Sequence, residues 1–222
     1  MAPAPQRIDS IYFNRANVVL SVMGIMRLQS ETIIYRVYRY SMVGAQYIFL
    51  MFQVYFIAQM RHDLEVVSEA SYLFFTQASL CFKVTIFLLN INRFEELSAM
   101  MNCQVFKPQN EDHEKSIRQH ATTIKRLMAG FMVFSQATCG LWALRPLFDN
   151  AGDRTFPFKM WMPVEPTQSP QYELGYAFQY ITICISAFMY FGVDSVALGA
   201  FIFACAQLVI IKHKILNVII LF

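Results

Sequence analysis

Four long apolar stretches constrain this chain more than any other feature. A helix crossing the hydrocarbon of a bilayer needs about 20 mostly apolar residues. Tyr40–Met60 is 21 residues without a charge, and Ala70–Asn92 is 23 residues with one charge, Lys83. Leu127–Leu144 is 18 residues without a charge, and Leu174–Ile211 is 38 residues with one, Asp194. Covering four such helices inside a soluble globule would take far more polar sequence than 222 residues supply. Only 15% of the chain is charged, against roughly 25% in an ordinary soluble domain. The expected fold is therefore all-α: a polytopic membrane helical bundle with spans at about 40–60, 70–92, 127–148 and 174–211.

The last stretch exceeds one crossing. At 1.5 Å per residue it reaches about 57 Å, against a hydrocarbon core of about 30 Å. It is either one long helix projecting into water or a hairpin turning near Gly192–Ser195. Charge separates the two. Thirteen Lys and Arg lie before the first span, between the second and third, and after the fourth, while four lie in the other loops. Basic residues accumulate on the cytoplasmic side, so the N-terminus is expected in the cytoplasm. Four crossings keep Lys212 and Lys214 there, which favours one long helix. Val18–Met26, flanked by Arg15 and Arg27, is short and has no small-residue cleavage pattern, so no signal peptide is expected.

Several functional classes drop out. A disordered chain would be poor in apolar residues, whereas this one is 56% hydrophobic. Five Cys are sparse and odd in number for a disulfide scaffold. A net charge of +3 without one dense basic patch argues against nucleic acid. No phosphate-binding glycine loop, zinc-protease helix or nucleophile elbow occurs, so neither an enzyme nor a cofactor is expected. His113 and His120 lie seven apart without further ligands at metal spacing and read as a solvated helix face. In the same segment, Glu111–Lys115 and Glu114–Arg118 are acid-to-base pairs in the helix-favouring order, so a polar helix should lead into the third span.

The loop 146–173 holds Pro146, Pro157, Pro163, Pro166 and Pro170, which forbid regular helix there. With Phe156 and Trp161 it reads either as an extracellular lid or as a surface loop with an interfacial anchor. Lys83 and Asp194 default to functional hypotheses because charges in a membrane are costly. Snorkelling for Lys83, and hydration or a polar partner for Asp194, are the simpler accounts.

Aromatic residues make up 15% of the chain, and many fall in the expected outer halves of spans two to four. Tyr72, Phe75, Thr76 and Ser79 share one helical face. Thr138 and Trp142 share another, and Tyr176, Gln179, Tyr180 and Ile183 a third. Together they would enclose an apolar pocket with a few hydroxyls, suited to a small volatile or lipophilic ligand and not to a charged one.

Two stretches carry a family resemblance. The first runs from Thr155 to Ile181, with Pro157, Trp161, Pro163, Glu165, Ser169-Pro170, Tyr172, Tyr176 and Gln179. The second runs from Val193 to Ile215, with Asp194 and the run Cys205-Ala206-Gln207-Leu208. In order and spacing they resemble the second extracellular loop and fourth helix of the insect odorant receptor family. The resemblance implies a subunit of a ligand-gated cation channel that pairs with a shared co-receptor in the plasma membrane of olfactory neuron dendrites. Small-molecule odorants would bind in the outer halves of the helices, with the bilayer as the other partner. The family has seven spans, so a single partial transmembrane domain over 1–222, truncated after the fourth helix, is expected. The alternative is a non-conducting four-helix membrane adaptor or short isoform that affects receptor assembly and trafficking.

Overall fold

The computed structural model describes residues 8–27, 31–106, 111–144, 156–164 and 169–221, without the side chains at 111–113, 116, 120, 124, 143 and 217–221. Among these residues the chain is all-helical. Six α-helices follow one another: α1 Ile8–Val22, α2 Ile33–Gln59, α3 Leu64–Leu89, α4 Ile91–Met101, α5 Glu111–Ala143 and α6 Gln171–Leu221. A single 3-10 turn, Gln104–Phe106, follows α4.

Among the described residues three helices are long and apolar enough to cross a membrane: α2, α3 and α6 from Gln171 to Leu216. They begin or end beyond the expected spans because helical hydrogen bonding does not stop where hydrocarbon does. Arg36 and Arg39 thus lie within α2. The expected third span occupies the later part of α5. The earlier part is charged, as expected, and Arg118 pairs with Glu114 at 2.7 Å. The apolar part from Leu127 is interrupted by Ser135, Gln136 and Thr138, and its expected far end at 145–148 lies outside the described residues.

The long final stretch is one helix. α6 runs through Gly192 without a turn, and its 51 residues reach about 77 Å at 1.5 Å per residue. Gly192 instead makes room for α1. A Cβ there would stand 2.6 Å from Leu20 Cδ2 and 2.9 Å from Leu20 Cγ.

α1 was not anticipated as an element. Ile8, Tyr12, Ala16 and Leu20 recur every four residues, joined by Phe13, and all five are buried. They form the main core with Val84 of α3, Phe94 of α4, Ile117 and Ala121 of α5, and Met189, Phe203 and Ala206 of α6. Burial pushes the Tyr12 hydroxyl up to about 12, and that hydroxyl donates to Ile117 O at 3.3 Å.

Both ends of α1 are satisfied from elsewhere in the chain. Asn102, just after α4, offers Oδ1 to the backbone N–H of Ile8 at 2.9 Å, filling one of the orphan donors of a helix start. At the other end Gly24 takes φ +75°, a left-handed value that glycine adopts freely. The carbonyls left over there are taken by α2: Tyr38 donates to Val22 O at 2.7 Å, and Arg39 Nε donates to Gly24 O at 2.8 Å. Arg39 also pairs with Glu31 at 2.5 Å, and its guanidinium holds the Glu31 carboxyl below the usual range.

A second, smaller core joins Phe49 of α2, Leu73 of α3, and Phe158 and Met160 from the segment before α6. The cavity described next lies at this end of the bundle.

Candidate functional site

Three helices line a half-open cavity of about 340 Å³. α3 contributes Tyr72, Leu73, Thr76, Gln77 and Leu80. α5 contributes Phe131, Ser135, Thr138, Cys139 and Trp142, and α6 contributes Ile183, Ser186, Ala187 and Tyr190. Each set recurs at three- and four-residue steps, so each is one helical stripe turned toward the same space. Phe158 completes the lining. None of these residues is charged, and the volume falls at the lower end of ligand pockets, roughly 300–1,000 Å³.

Of the ten residues expected from sequence, Tyr72, Thr76, Thr138, Trp142 and Ile183 line the cavity. Phe75 does not: it is 67% exposed on the outside of α3. Ser79 lies behind the wall, its hydroxyl 3.1 Å from that of Tyr190. Tyr176 lies nearly two turns of α6 before Ile183, with its ring centroid 6.0 Å from that of Tyr172 in the first turn of that helix. Tyr180 is half-buried on α6 without joining the lining.

Gln179 has a different place. It is fully buried, and its carboxamide pairs with both backbone groups of one residue. Oε1 accepts from Phe158 N–H at 3.0 Å, and Nε2 donates to Phe158 O at 3.3 Å. This two-point clamp replaces the partners that an irregular buried backbone otherwise lacks. It fixes Phe158, whose ring stacks on Trp142 with centroids 5.5 Å apart. Lys159 forms an ion pair with Glu69 at the start of α3. Trp161 packs edge-on against Phe52 and Tyr55 of α2, at 5.4 and 5.1 Å. The described part of the proline-rich loop, 156–164, is thus pinned to α2, α3 and α6 over one end of the cavity. Pro146 and Pro166 lie outside the described residues. A separate small hollow of about 20 Å³ lies there, bordered by Glu69, Tyr72, Trp142, Phe158 and Lys159.

The expected α3 face was rotated by roughly a quarter turn, which put Phe75 and Ser79 where Leu73 and Gln77 belong. On α6 the lining stripe starts where the expected set ends, at Ile183, and runs on about two turns through Ser186, Ala187 and Tyr190. Continuing the series from Ile183 by three and four residues would have reached all three. The opposite wall is a buried polar network. Gln46 of α2, Gln77 and Ser186 are each under 10% exposed. Gln77 Nε2 donates to Gln46 Oε1 at 2.7 Å, and Ser186 Oγ donates to the same oxygen at 2.6 Å.

Beneath the cavity the two charges of the spanning helices meet. Lys83 Nζ lies 2.8 Å and 3.1 Å from the two carboxylate oxygens of Asp194. The ammonium also stands 4.2 Å from the ring centroid of Tyr190, which lines the cavity above. Among the described residues no group of three His, Cys, Asp or Glu is placed to hold a metal. The side chains of His113 and His120 lie outside that description.

Comparison with known proteins follows the same outline. The family model described as 7tm Odorant receptor matches residues 63–218. Odorant receptor Or1 of Anopheles gambiae is 27% identical over 148 residues, which are 66% of this chain and 35% of that receptor. The insect olfactory receptor OR5 of Machilis hrabei, solved in complex with eugenol, shares the fold with a TM-score of 0.74 at 16% identity. That match covers 89% of this chain and 54% of the other. The chain therefore spans about a third of the curated relative's length and about half of the solved receptor's.

Proposed function

The chain belongs to the 7tm odorant receptor family, and from that premise we propose that it binds small volatile or lipophilic odorants in the cavity between α3, α5 and α6. The observation that carries this reading is the cavity itself: about 340 Å³, aromatic and apolar, without a charged residue in its lining. The likeness to a receptor whose structure holds eugenol supports the same class of ligand. With a co-receptor subunit, the chain gates a cation channel in the plasma membrane of olfactory neurons. Odorant binding acts by favouring the open state over the closed one, to the extent that it binds the open state more tightly. The surplus of Lys and Arg before α2, between α3 and α5 and after α6 supports a cytoplasmic N-terminus. The Phe158 end of the cavity then faces the outside, where odorants arrive. α5 supplies the third of the four crossings, with Leu127 onward in the bilayer.

Co-expression of this chain with the co-receptor in a cell lacking other receptors tests the proposal. Odorant-evoked current is expected, and Trp142→Ala and Tyr72→Ala should each shift the dose–response curve while surface expression is retained. Unchanged curves in both variants would overturn the cavity assignment. Odorant binding without any current would favour the non-conducting adaptor instead. An epitope tag ahead of Met1 that stains on intact cells would invert the orientation.

A further inference from the structure

We propose that the deep wall of the cavity selects ligands carrying a hydroxyl group, because it presents a fixed hydrogen-bond acceptor, Gln77 Oε1, whose one donor among the described residues is already shared. This rests on the reading of the cavity as the odorant site and specifies the chemistry of what enters it.

The orientation of Gln77 follows from groups that can only accept. Gln77 Nε2 lies 3.4 Å from the backbone oxygen of Gln46 and 2.7 Å from Gln46 Oε1. A carbonyl has no proton to give, so the amide nitrogen must lie on that side. Gln46 is oriented in turn by Thr182 O, 3.5 Å from Gln46 Nε2. Gln77 Oε1 is thereby turned toward Ser186, whose Oγ is 3.2 Å away.

Ser186 cannot satisfy it. Its single hydroxyl proton faces three acceptors: Gln46 Oε1 at 2.6 Å, Thr182 O at 2.8 Å and Gln77 Oε1 at 3.2 Å. Gln77 Oε1 is the farthest of the three and receives the weakest share. Gln77 and Ser186 both line the cavity, so a ligand in that space is placed to supply a further donor. An acceptor left short in an apolar site costs free energy until it is met.

The other groups of fixed polarity point the same way. Thr76 Oγ1 donates to Tyr72 O at 2.8 Å, and Thr138 Oγ1 donates to Phe134 O at 3.0 Å. With their protons committed to their own helices, both hydroxyls offer the cavity lone pairs. An alcohol or phenol brings the missing proton. An ether, ester or ketone of similar shape brings only lone pairs to face lone pairs.

The test uses the 222-residue chain in phosphatidylcholine nanodiscs, with Trp161→Phe leaving Trp142 as the single indole. The probes are phenethyl alcohol and its isomer benzyl methyl ether, titrated against Trp142 fluorescence. The alcohol should bind about fivefold more tightly, the yield of one net neutral hydrogen bond. Gln77→Leu should abolish that preference while leaving the ether's affinity within about twofold. Ser186→Ala removes the competing donor and should keep or enlarge the preference, so it carries the test if Gln77→Leu does not fold. Equal binding of the two isomers to the parent chain would overturn the hydroxyl preference and leave the cavity reading standing. Loss of the preference in Ser186→Ala with retention in Gln77→Leu would overturn it too, by assigning selection to Ser186. No response of Trp142 to either isomer would overturn both readings.

Discussion

Asp194→Asn isolates the ion pair between two membrane-spanning helices with almost no change of shape. In the parent chain Lys83 Nζ contacts both carboxylate oxygens, at 2.8 and 3.1 Å, and lies over the Tyr190 ring at 4.2 Å. Two unit charges about 3 Å apart attract by roughly 5 kcal/mol at an effective dielectric of about 20. Most of that is cancelled by the cost of desolvating both groups. The side chains are 34% and 42% exposed, which reduces the net further. Polar contacts between membrane helices average about 0.6 kcal/mol in double-mutant cycles and reach about 1.7. The two-oxygen geometry and the aromatic face place this pair at the upper end, with a coupling of about 1–2 kcal/mol. Asp194→Asn and Lys83→Met should each cost about 2 kcal/mol, because each leaves a lone charge, and the double variant should recover about half of the summed loss. Reversible unfolding of the chain in bicelles by added SDS, followed by tryptophan fluorescence, reads all four stabilities. Strict additivity, within about 0.3 kcal/mol, would refute the claim that the pair rather than two independent side chains holds α3 to α6.

Gly192→Ala should destabilise by about 1–2 kcal/mol despite the better helix propensity of alanine, since its methyl would lie 2.6 Å from Leu20 Cδ2. Leu20→Ala in the same chain should restore part of that loss, and the SDS titration checks whether it does. Gln179→Leu should release the Phe158 segment, which limited proteolysis between α5 and α6 would report as faster cleavage, with helicity by circular dichroism unchanged. The Glu31 carboxyl is held below its ordinary value by Arg39, so its contribution to tying α1 to α2 is present above about pH 4.3 and lost as pH falls through the lower folded value. Protection factors of the amides at residues 22–26, taken relative to intrinsic exchange at each pH, should accordingly fall on acidification, and Glu31→Gln should lower them at neutral pH and leave them flat across that range.

What the sequence disclosed and what it withheld divide along one physical line: a bilayer reads average apolarity, whereas packing reads phase. Spanning helices announce themselves by length and lack of charge, so α2, α3 and α6 were legible, and the charge tally favoured one unbroken α6 over a hairpin at Gly192. The facing stripe within such a helix is harder to see, because lipid and protein interiors accept the same side chains. On α3 the eye is drawn to Tyr72, Phe75, Thr76 and Ser79, yet the inward stripe is the one carrying Gln77. A glutamine in the middle of an apolar span is the stronger signal, since hydrocarbon rejects it and only a neighbouring helix can meet its amide. Gln46 and Gln77, 31 residues apart in sequence, are that signal and meet at 2.7 Å. α1 was missed for the opposite reason: its four-residue apolar repeat is clear, but it is too short to span and carries Arg15, so membrane length was the wrong test for it. The partnership of Lys83 and Asp194 needed the fold, because 111 residues separate them. Once α3 and α6 are parallel neighbours, with Gln77 by Ser186, Ser79 by Tyr190 and Lys83 by Asp194, pairing becomes the cheapest state for two charges at the same depth.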